Sequence, residues 1–223
     1  FNKSHAAAYS YVAWQTAYMK AHHTASFFAG NLCLVMDQGE KTCALVDDAR
    51  EMGIRILVPD INESEWYYTV PDEESVRFGL GSIKGVGQQI VEDILDERRM
   101  NGPFIDIFDL AARVPSVNKK TIEQMARAGA FDSMDEDRGK LFANAEQAVL
   151  AAQAVASSAG QGSLFADAFG EPERIVSWRT AEKWDEKKRF SEEREVFGFC
   201  LTGDAFASYR QEVKAFSTPF AAL

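Results

Sequence analysis

The sequence lacks the features that place a protein in a membrane or in an oxidising compartment. No apolar run reaches the length of about 18 residues that crosses a bilayer, and no basic leader precedes an apolar block at the N-terminus. The three cysteines, Cys33, Cys43 and Cys200, form no Cys-x-x-Cys pair, which favours reduced thiols over disulfides or a zinc site. We therefore expect a cytoplasmic protein with neither a membrane span nor a signal peptide.

Acidic residues are absent before Asp37, although the whole chain has a net charge of -10. Of the acidic and basic side chains, that first segment contains only basic ones, namely Lys3, His5, Lys20, His22 and His23. A strongly acidic chain is not one that coats DNA by bulk electrostatic attraction, because such binding needs clustered lysine and arginine. Any contact with DNA must therefore be local.

What the sequence does contain is enough apolar material for a core and a series of helical patterns. Over 223 residues, 46% are hydrophobic, which suffices for one to three compact units. The spacing predicts helices over Ser4–His22, Thr24–Met36, Gly39–Glu51, Gln88–Arg99, Asp106–Ala112, Asn118–Gly129, Arg138–Ala156 and Ala181–Glu195. Thr24 and Asn118 are predicted N-caps, and the first three helices are expected to bury their aromatic faces together.

A small β ribbon is predicted between the N-terminal helices and the rest of the chain. Its candidate strands are Ile54–Val58, Trp66–Val70 and Ser75–Leu80, with a turn at Pro71 and Asp72. The predicted fold class is therefore mainly α, with a small β ribbon, a tandem helix-hairpin-helix, a flexible linker and a C-terminal helix.

The most specific local pattern follows this ribbon. After a strand-like lead, Gly85, Val86 and Gly87 form a tight turn just before a helix, and Lys84 adds a cation. Two glycines around one apolar residue let a phosphate approach the bare amide groups at the helix start. This layout is that of a helix-hairpin-helix, which holds nucleic-acid backbone without reading bases.

Two other interpretations of this turn stay open from the residues alone. A dinucleotide-binding loop would need a third glycine where Ile90 stands, and an ordinary turn is as common as a functional one. Ile83 and Ile90 are instead placed to pack two short helices across the hairpin. A second helix pair, joined by residues 128–132, suggests a degenerate repeat that lacks Gly-x-Gly.

Residues 157–175 contain few aliphatic side chains and are predicted to form a flexible linker. Within them, Gln161 is followed by Leu164 and Phe165. A linker without a core of its own rarely exposes Leu-Phe to solvent, so we expect this pair to enter a groove on a partner.

Several segments, in order along nearly the whole chain, resemble the alpha subunit of bacterial DNA polymerase III, the C-family replicative polymerase. They are Phe1–Tyr9, Pro59–Asn62, Gly79–Gly87, Gly129–Asp132, Glu193–Phe199 and Leu201–Gly203. The resemblance implies the C-terminal part of a fingers domain at 1–77, a tandem helix-hairpin-helix at 78–156, a linker at 157–180 and a helical segment at 181–223 that leads to an OB domain.

The resemblance also implies roles for particular residues. Lys3, Ser4 and His5 would lie near the incoming nucleotide, although Ser4 alone could instead be a helix cap. Duplex DNA would be bound by Lys84, Gly85, Val86 and Gly87. A sliding-clamp-binding pentapeptide would comprise Gln161, Ser163, Leu164 and Phe165, with Gly162 in place of the commoner leucine. Other subunits of the polymerase III holoenzyme are further implied partners.

No catalytic residue and no metal ligand is assigned within this sequence. In the family, the carboxylates that hold Mg²⁺ belong to a palm domain ahead of this segment, whereas the hairpin allows a monovalent cation. The acidic run Asp135–Asp137 is expected at a helix start, where it complements the dipole. We expect part of a DNA-directed DNA polymerase that is inactive alone; the alternatives are a non-catalytic helix-hairpin-helix repair scaffold and an error-prone paralogue.

Overall fold

The computed structural model describes residues 2–161, 178–203 and 216. Its helices are α1 (Lys3–His22), α2 (Thr24–Leu34), α3 (Gly39–Glu51), α4 (Gln88–Asn101), α5 (Ile107–Arg113), α6 (Lys119–Ala128), α7 (Arg138–Gln161) and α8 (Glu186–Phe197). The strands are β1 (Arg55–Leu57), β2 (Thr69–Asp72) and β3 (Ser75–Arg77), followed by a 3₁₀ helix at Leu80–Ser82. The prediction of a mainly α fold is confirmed. In the described part of the chain, no helix is long and apolar enough to cross a membrane.

Side-chain caps start several of these helices. Asp106, Asn118 and Asp185 each accept a hydrogen bond from the backbone N–H three residues later, at 2.7, 3.1 and 2.7 Å. Each such bond satisfies an N–H that has no partner inside its helix. The prediction that Asn118 caps its helix is confirmed.

The predicted cap at Thr24 is wrong, and Ser4, the alternative cap of α1, does not cap its helix either. Helix α1 is capped by Asn2, whose side chain accepts from the His5 N–H, while the Ser4 hydroxyl only donates to Asn2. Thr24 is the first residue of α2 and donates its hydroxyl to the Lys20 carbonyl, 2.9 Å away. Thr24 therefore lies inside the helix, and the N-cap position is held by His23, whose side chain makes no capping hydrogen bond.

The sheet has the order β1-β3-β2, with β1 parallel and β2 antiparallel to the central strand. The predicted turn at Pro71 and Asp72 is wrong, because both residues lie in β2 and the turn falls at residues 73–74. Strand β2 is an edge strand in this sheet, and an edge position tolerates the missing N–H of proline.

The loop between β1 and β2 is fastened to the end of α4. The Asn62 side chain both accepts from the Phe104 N–H at 2.8 Å and donates to its carbonyl at 2.9 Å. Arg98 of α4 donates to the carbonyls of Ile61 and Ser64. These bonds give buried backbone groups outside helices and strands their partners.

The core runs from α2 and the sheet through α4 to α8. The α4 stripe Val91, Ile94 and Leu95 is buried as its spacing predicts. Phe78 lies near the middle, with its ring 5.6 Å from Phe197 of α8 in an edge-to-face arrangement. Helix α8 therefore belongs to the same core.

Helix α1 does not bury an aromatic face, contrary to expectation. None of its residues is buried, and Tyr11 and Trp14 are 60% and 61% exposed. The cause lies in the pattern, because alanines and aromatics surround the helix without a polar side that would define a stripe. Its C-terminal end is held instead by an ion pair of 2.6 Å between Lys20 and Asp48.

Further boundaries differ from expectation. Helix α8 begins at Glu186 rather than at the predicted Ala181. The lead into the glycine turn is a 3₁₀ helix rather than a strand, and it passes close over Trp66: a Cβ at Gly81 would lie 2.7 Å from that ring. Helix α7 continues through residues 157–160 to Gln161, where a break was predicted. The remainder of the predicted linker, residues 162–177, lies outside the described residues.

Candidate nucleic-acid interface

We call residues Lys84–Gly87 the first turn. Gly85 has a φ of +87°, a left-handed conformation that side chains disfavour. Val86 anchors the turn: its side chain is buried, and its N–H donates to the Ile83 carbonyl at 3.1 Å. Ile83 is buried in the core and Ile90 packs against its edge. The apolar side chains therefore hold the turn against the core, while Lys84, Gly85 and Gly87 face solvent.

The first turn ends at an uncapped helix. Gly87 is the N-cap of α4, and no side chain makes a capping hydrogen bond there. The first N–H groups of a helix have no intrahelical partner, and a Cβ at Gly87 would meet no atom within 4 Å. An anion could therefore reach these N–H groups at the positive end of the helix dipole.

Helix α6 borders the first turn on one side. The Gln124 amide donates to the Lys84 carbonyl at 3.1 Å, although the two residues are 40 positions apart. A Cβ placed on Gly85 would lie 3.7 Å from Cε of Lys120. Sequence reasoning missed both residues, because their only local signal was a lysine and a glutamine near the start of an ordinary amphipathic helix.

Lys84 and Lys120 are exposed and, among the described residues, neither has a carboxylate oxygen within 4.0 Å. The neighbouring Lys119 is different, since its ammonium lies 3.2 Å from a Glu146 oxygen. In the described part of the chain, Lys84 within the turn and Lys120 beside it are thus cations without a carboxylate partner, although the whole sequence has a net charge of -10.

Helix α8 borders the first turn on the other side. The Lys84 N–H donates to the carbonyl of Val196 at 3.2 Å. The end of α8, the first turn and the segment between α2 and α3 enclose an open cleft of about 490 Å³, lined among others by Trp66 and Arg194.

A buried ionic cluster fixes α8 to α7. Arg138 is 1% exposed and Glu193 is 0% exposed; their side chains are 2.9 Å apart. Arg138 also makes two hydrogen bonds to Asp132. Glu193 further accepts from the backbone N–H groups of Leu201 and Thr202. These ion-pair and hydrogen-bond partners offset the free-energy cost of burying the two charged side chains. The Asp132 and Glu193 carboxylates raise the pKa of Arg138 despite its burial.

A second turn, residues 114–118, joins α5 to α6. Asn118 caps α6 from within the turn, so one N–H group at this helix start is already paired. The Ser116 hydroxyl donates to Asp93 of α4 at 2.5 Å. This bond and one from Gln89 lower the pKa of the Asp93 carboxyl. The first turn therefore contacts α6, and the second turn contacts α4.

That reciprocal arrangement differs from the predicted repeat, which paired α6 with α7. Helices α6 and α7 do pack together, but their connection is closed. At Gly129 a Cβ would collide with the Arg138 guanidinium, and Asp137 accepts from the Lys140 N–H at the start of α7. The turn that corresponds to the first one is thus the one before α6.

The acidic run at the start of α7 behaves as expected of a helix terminus. Burial raises the Asp135 pKa, but a 2.7 Å hydrogen bond from Lys140 and another from the Asp137 N–H bring its net shift below the ordinary value. No group of three or more His, Cys, Asp or Glu side chains in the described part of the chain is placed to hold a metal ion.

The other predicted site residues lie apart from the first turn. Lys3, Ser4 and His5 are the first three residues of α1, where the His5 ring lies 4.4 Å from that of Tyr9. Gln161 is the last residue of α7, while Ser163, Leu164 and Phe165 lie outside the described residues.

The fold and the first turn together define a helical module of the helix-hairpin-helix class. A family model described as a helix-hairpin-helix motif matches residues 53–141, which include both turns.

Curated relatives are similar to nearly the whole chain. The chain is 41% identical over 219 residues to the DNA polymerase III subunit alpha of Neisseria meningitidis serogroup A, covering 96% of this chain and 19% of that protein. It is 38% identical to the subunit of the same name from Escherichia coli K12, over 97% of this chain and 19% of the relative. The Pseudomonas aeruginosa subunit is also 38% identical, over 97% and 20%.

The resemblance noted in the sequence is thereby confirmed. The chain is related along nearly its whole length to one segment of the bacterial DNA polymerase III alpha subunits, and it spans about a fifth of their length.

Proposed function

We propose that this chain is the part of a DNA polymerase III alpha subunit that holds duplex DNA during DNA-directed DNA synthesis. The observation that carries the proposal is the first turn, where an uncapped helix start adjoins two lysines that have no carboxylate partner among the described residues. Phosphate is the group that this combination of N–H donors and ammonium groups suits.

Binding at this turn is proposed to be independent of base sequence. Contacts to phosphate from backbone N–H groups and lysines fix the position of a protein on the duplex but carry no sequence information. The net charge of -10 keeps the remaining surface from adding nonspecific attraction. The first turn would therefore act as a local grip, which suits an enzyme that moves along its template.

The test replaces Gly85 and Gly87 together by valine. Side chains at these positions strain the turn and occupy the open space at the start of α4. We expect duplex binding to weaken by about tenfold, or roughly 1.4 kcal/mol, by the same factor for unrelated sequences, as measured by fluorescence anisotropy in a salt series.

The control is Gly53→Val, which imposes the same backbone strain at a φ of +84° beyond the end of α3. It should lower stability and leave duplex affinity unchanged. Equal affinity of the double variant and the parent chain at every salt concentration would contradict the proposal.

We further propose that residues 161–165 tether the chain to the sliding clamp. The support is the pentapeptide itself, in which Gln161 would anchor and Leu164 and Phe165 would fill an apolar pocket. A synthetic peptide of this segment should compete for the clamp, and the Leu164→Ala, Phe165→Ala peptide should compete at least tenfold less well. Equal competition by both peptides counts against the tether.

Further roles are proposed for this segment within a complete polymerase. Lys3, Ser4 and His5 would lie near the incoming nucleotide, and Mg²⁺ would be bound outside this segment. A monovalent cation would bind carbonyl oxygens of the first turn. We expect the 223-residue chain alone to extend no primer; primer extension with Mg²⁺ would refute this.

A further inference from the structure

The first turn receives contacts from α6 that nothing in its own sequence indicates. The Gln124 side chain uses both ends of its amide: Nε2 donates to the Lys84 carbonyl at 3.1 Å, and Oε1 accepts from Arg127 Nη1 at 3.1 Å. A carbonyl only accepts and a guanidinium only donates, so these partners fix the orientation of the amide.

Arg127 is fixed in turn. Its Nε lies 2.7 Å from a Glu192 carboxylate oxygen of α8, and its guanidinium lies over the Phe142 ring at 5.0 Å. The Glu192 side chain is 9% exposed and that of Arg127 is 28% exposed, so this ion pair is partly shielded from water and from salt. A continuous polar chain therefore runs from α8 through α6 to the Lys84 carbonyl.

The backbone of Lys84 is also held from the opposite side, by α8. The Lys84 N–H donates to Val196 of α8 at 3.2 Å, so both backbone polar groups of Lys84 are paired with other helices. A turn fixed at both groups has little conformational freedom to lose when a ligand binds, and preorganisation of this kind raises affinity.

Lys120 lies one helical turn before Gln124 on the same face of α6. Its Cε would be 3.7 Å from a Cβ on Gly85, and among the described residues no carboxylate lies within 4.0 Å of its ammonium. Its stem therefore runs beside the exposed turn with a charge that no neighbouring group neutralises.

From this geometry, and given the proposed duplex binding, we propose that α6 completes the first-turn site: Lys120 contacts the bound DNA phosphate backbone, and Gln124 positions the turn that binds it. Lys120 is thus a binding residue, whereas Gln124 acts through the Lys84 carbonyl.

The test for Lys120 is the salt dependence of binding between the 223-residue chain and a duplex oligonucleotide of mixed sequence. Loss of one phosphate contact lowers the slope of log K against log salt by about 1. Between about 50 and 200 mM salt, the affinity of the parent should therefore fall by a factor about threefold larger than the affinity of the Lys120→Gln variant. Lys120→Arg should keep the parental slope.

Lys119→Gln is the matched control, since the adjacent Lys119 is already paired with Glu146. Its slope should equal that of the parent. A Lys120→Gln slope equal to the parental one would overturn the role of Lys120.

Gln124→Leu tests positioning, because it removes both hydrogen bonds at similar volume. Affinity should fall severalfold with the slope unchanged, and the Lys84 amide should exchange its hydrogen faster than in the parent. Unchanged affinity, or a fall with no change in exchange at Lys84, would overturn the role of Gln124.

The outcomes also separate this inference from the function on which it rests. If Lys84→Gln lowers the slope and Lys120→Gln does not, only the role of Lys120 is wrong. If neither Lys84→Gln nor the Gly85, Gly87 double variant changes binding, the first turn does not hold DNA and the inference fails with it.

Discussion

The two turns of this module share an architecture and differ in what they leave open. The first turn precedes α4 and ends in Gly87, which has no side chain with which to cap the helix. The second turn precedes α6 and ends in Asn118, whose side chain accepts from the Thr121 N–H. Capping by a side chain and binding of an anion compete for the same N–H groups.

The difference shows that the N–H groups at a helix start can bind a ligand only where no side chain of the protein already accepts their hydrogen bonds. The first turn also has its own supports on both sides, from Gln124 and from Val196. The second turn relies on its cap and on the bond from Ser116 to Asp93. Four experiments test this contrast, from the largest expected effect to the smallest.

The largest effect is expected from removing the anchor of α8. Glu193→Ala leaves the buried Arg138 with one carboxylate partner fewer and deprives two backbone N–H groups of their acceptor. We expect a loss of about 3–5 kcal/mol in the free energy of unfolding, measured by urea denaturation. Because α8 supports the first turn, amide exchange should rise more at Lys84 than at Val117 of the second turn.

Glu195→Ala is the control for that experiment, since Glu195 is exposed on the same helix. It should change the unfolding free energy by no more than about 0.5 kcal/mol. A loss for Glu193→Ala as small as that would show that the buried cluster does not anchor α8.

The two glycines of the first turn should differ in what they tolerate. Gly85→Ala places a side chain at a φ of +87° and should cost about 1–2 kcal/mol. Gly87→Ala has an ordinary φ of -79° and open space around its Cβ. Alanine caps a helix less well than glycine but restricts the unfolded chain more, so stability should change by only about a few tenths of a kcal/mol. Thermal unfolding of the two variants compares them directly, and equal losses would contradict this assignment.

Asn118→Ala removes the cap that distinguishes the second turn. The Thr121 N–H loses its acceptor, and we expect a loss of about 1 kcal/mol in unfolding free energy. Duplex affinity should stay near the parental value, because the first turn is untouched. A large fall in affinity together with full stability would show that the second turn binds DNA as strongly as the first.

Gly87→Asn transfers the cap of the second turn to the first. An asparagine at this N-cap should stabilise the fold by a few tenths of a kcal/mol, because it can pair an N–H group of α4. The same pairing should weaken duplex binding, measured by anisotropy. A variant that is more stable and binds less well would confirm the competition, whereas unchanged affinity would show that phosphate does not use these N–H groups.

Much of this could be predicted from local pattern. The cap at Asn118, the buried stripe of α4 and the glycine turn all depend on residues within one or two helical turns of each other. Local rules also misled: Thr24 is a good cap by type, yet its hydroxyl bonds back to Lys20. The aromatics of α1 suggested burial, but a helix without a polar side has no direction in which to bury them.

The sequence alone determined which segments form helices, which turn needs glycine and which proteins the segment resembles. These properties depend on backbone geometry and on the order of motifs along the chain. Only the tertiary structure decided that Lys120 and Gln124 lie beside a turn some 40 positions earlier, and that α8 supports that turn from the other side. The physical reason is that contacts between helices depend on how their apolar faces pack together, which the spacing along a single helix does not specify.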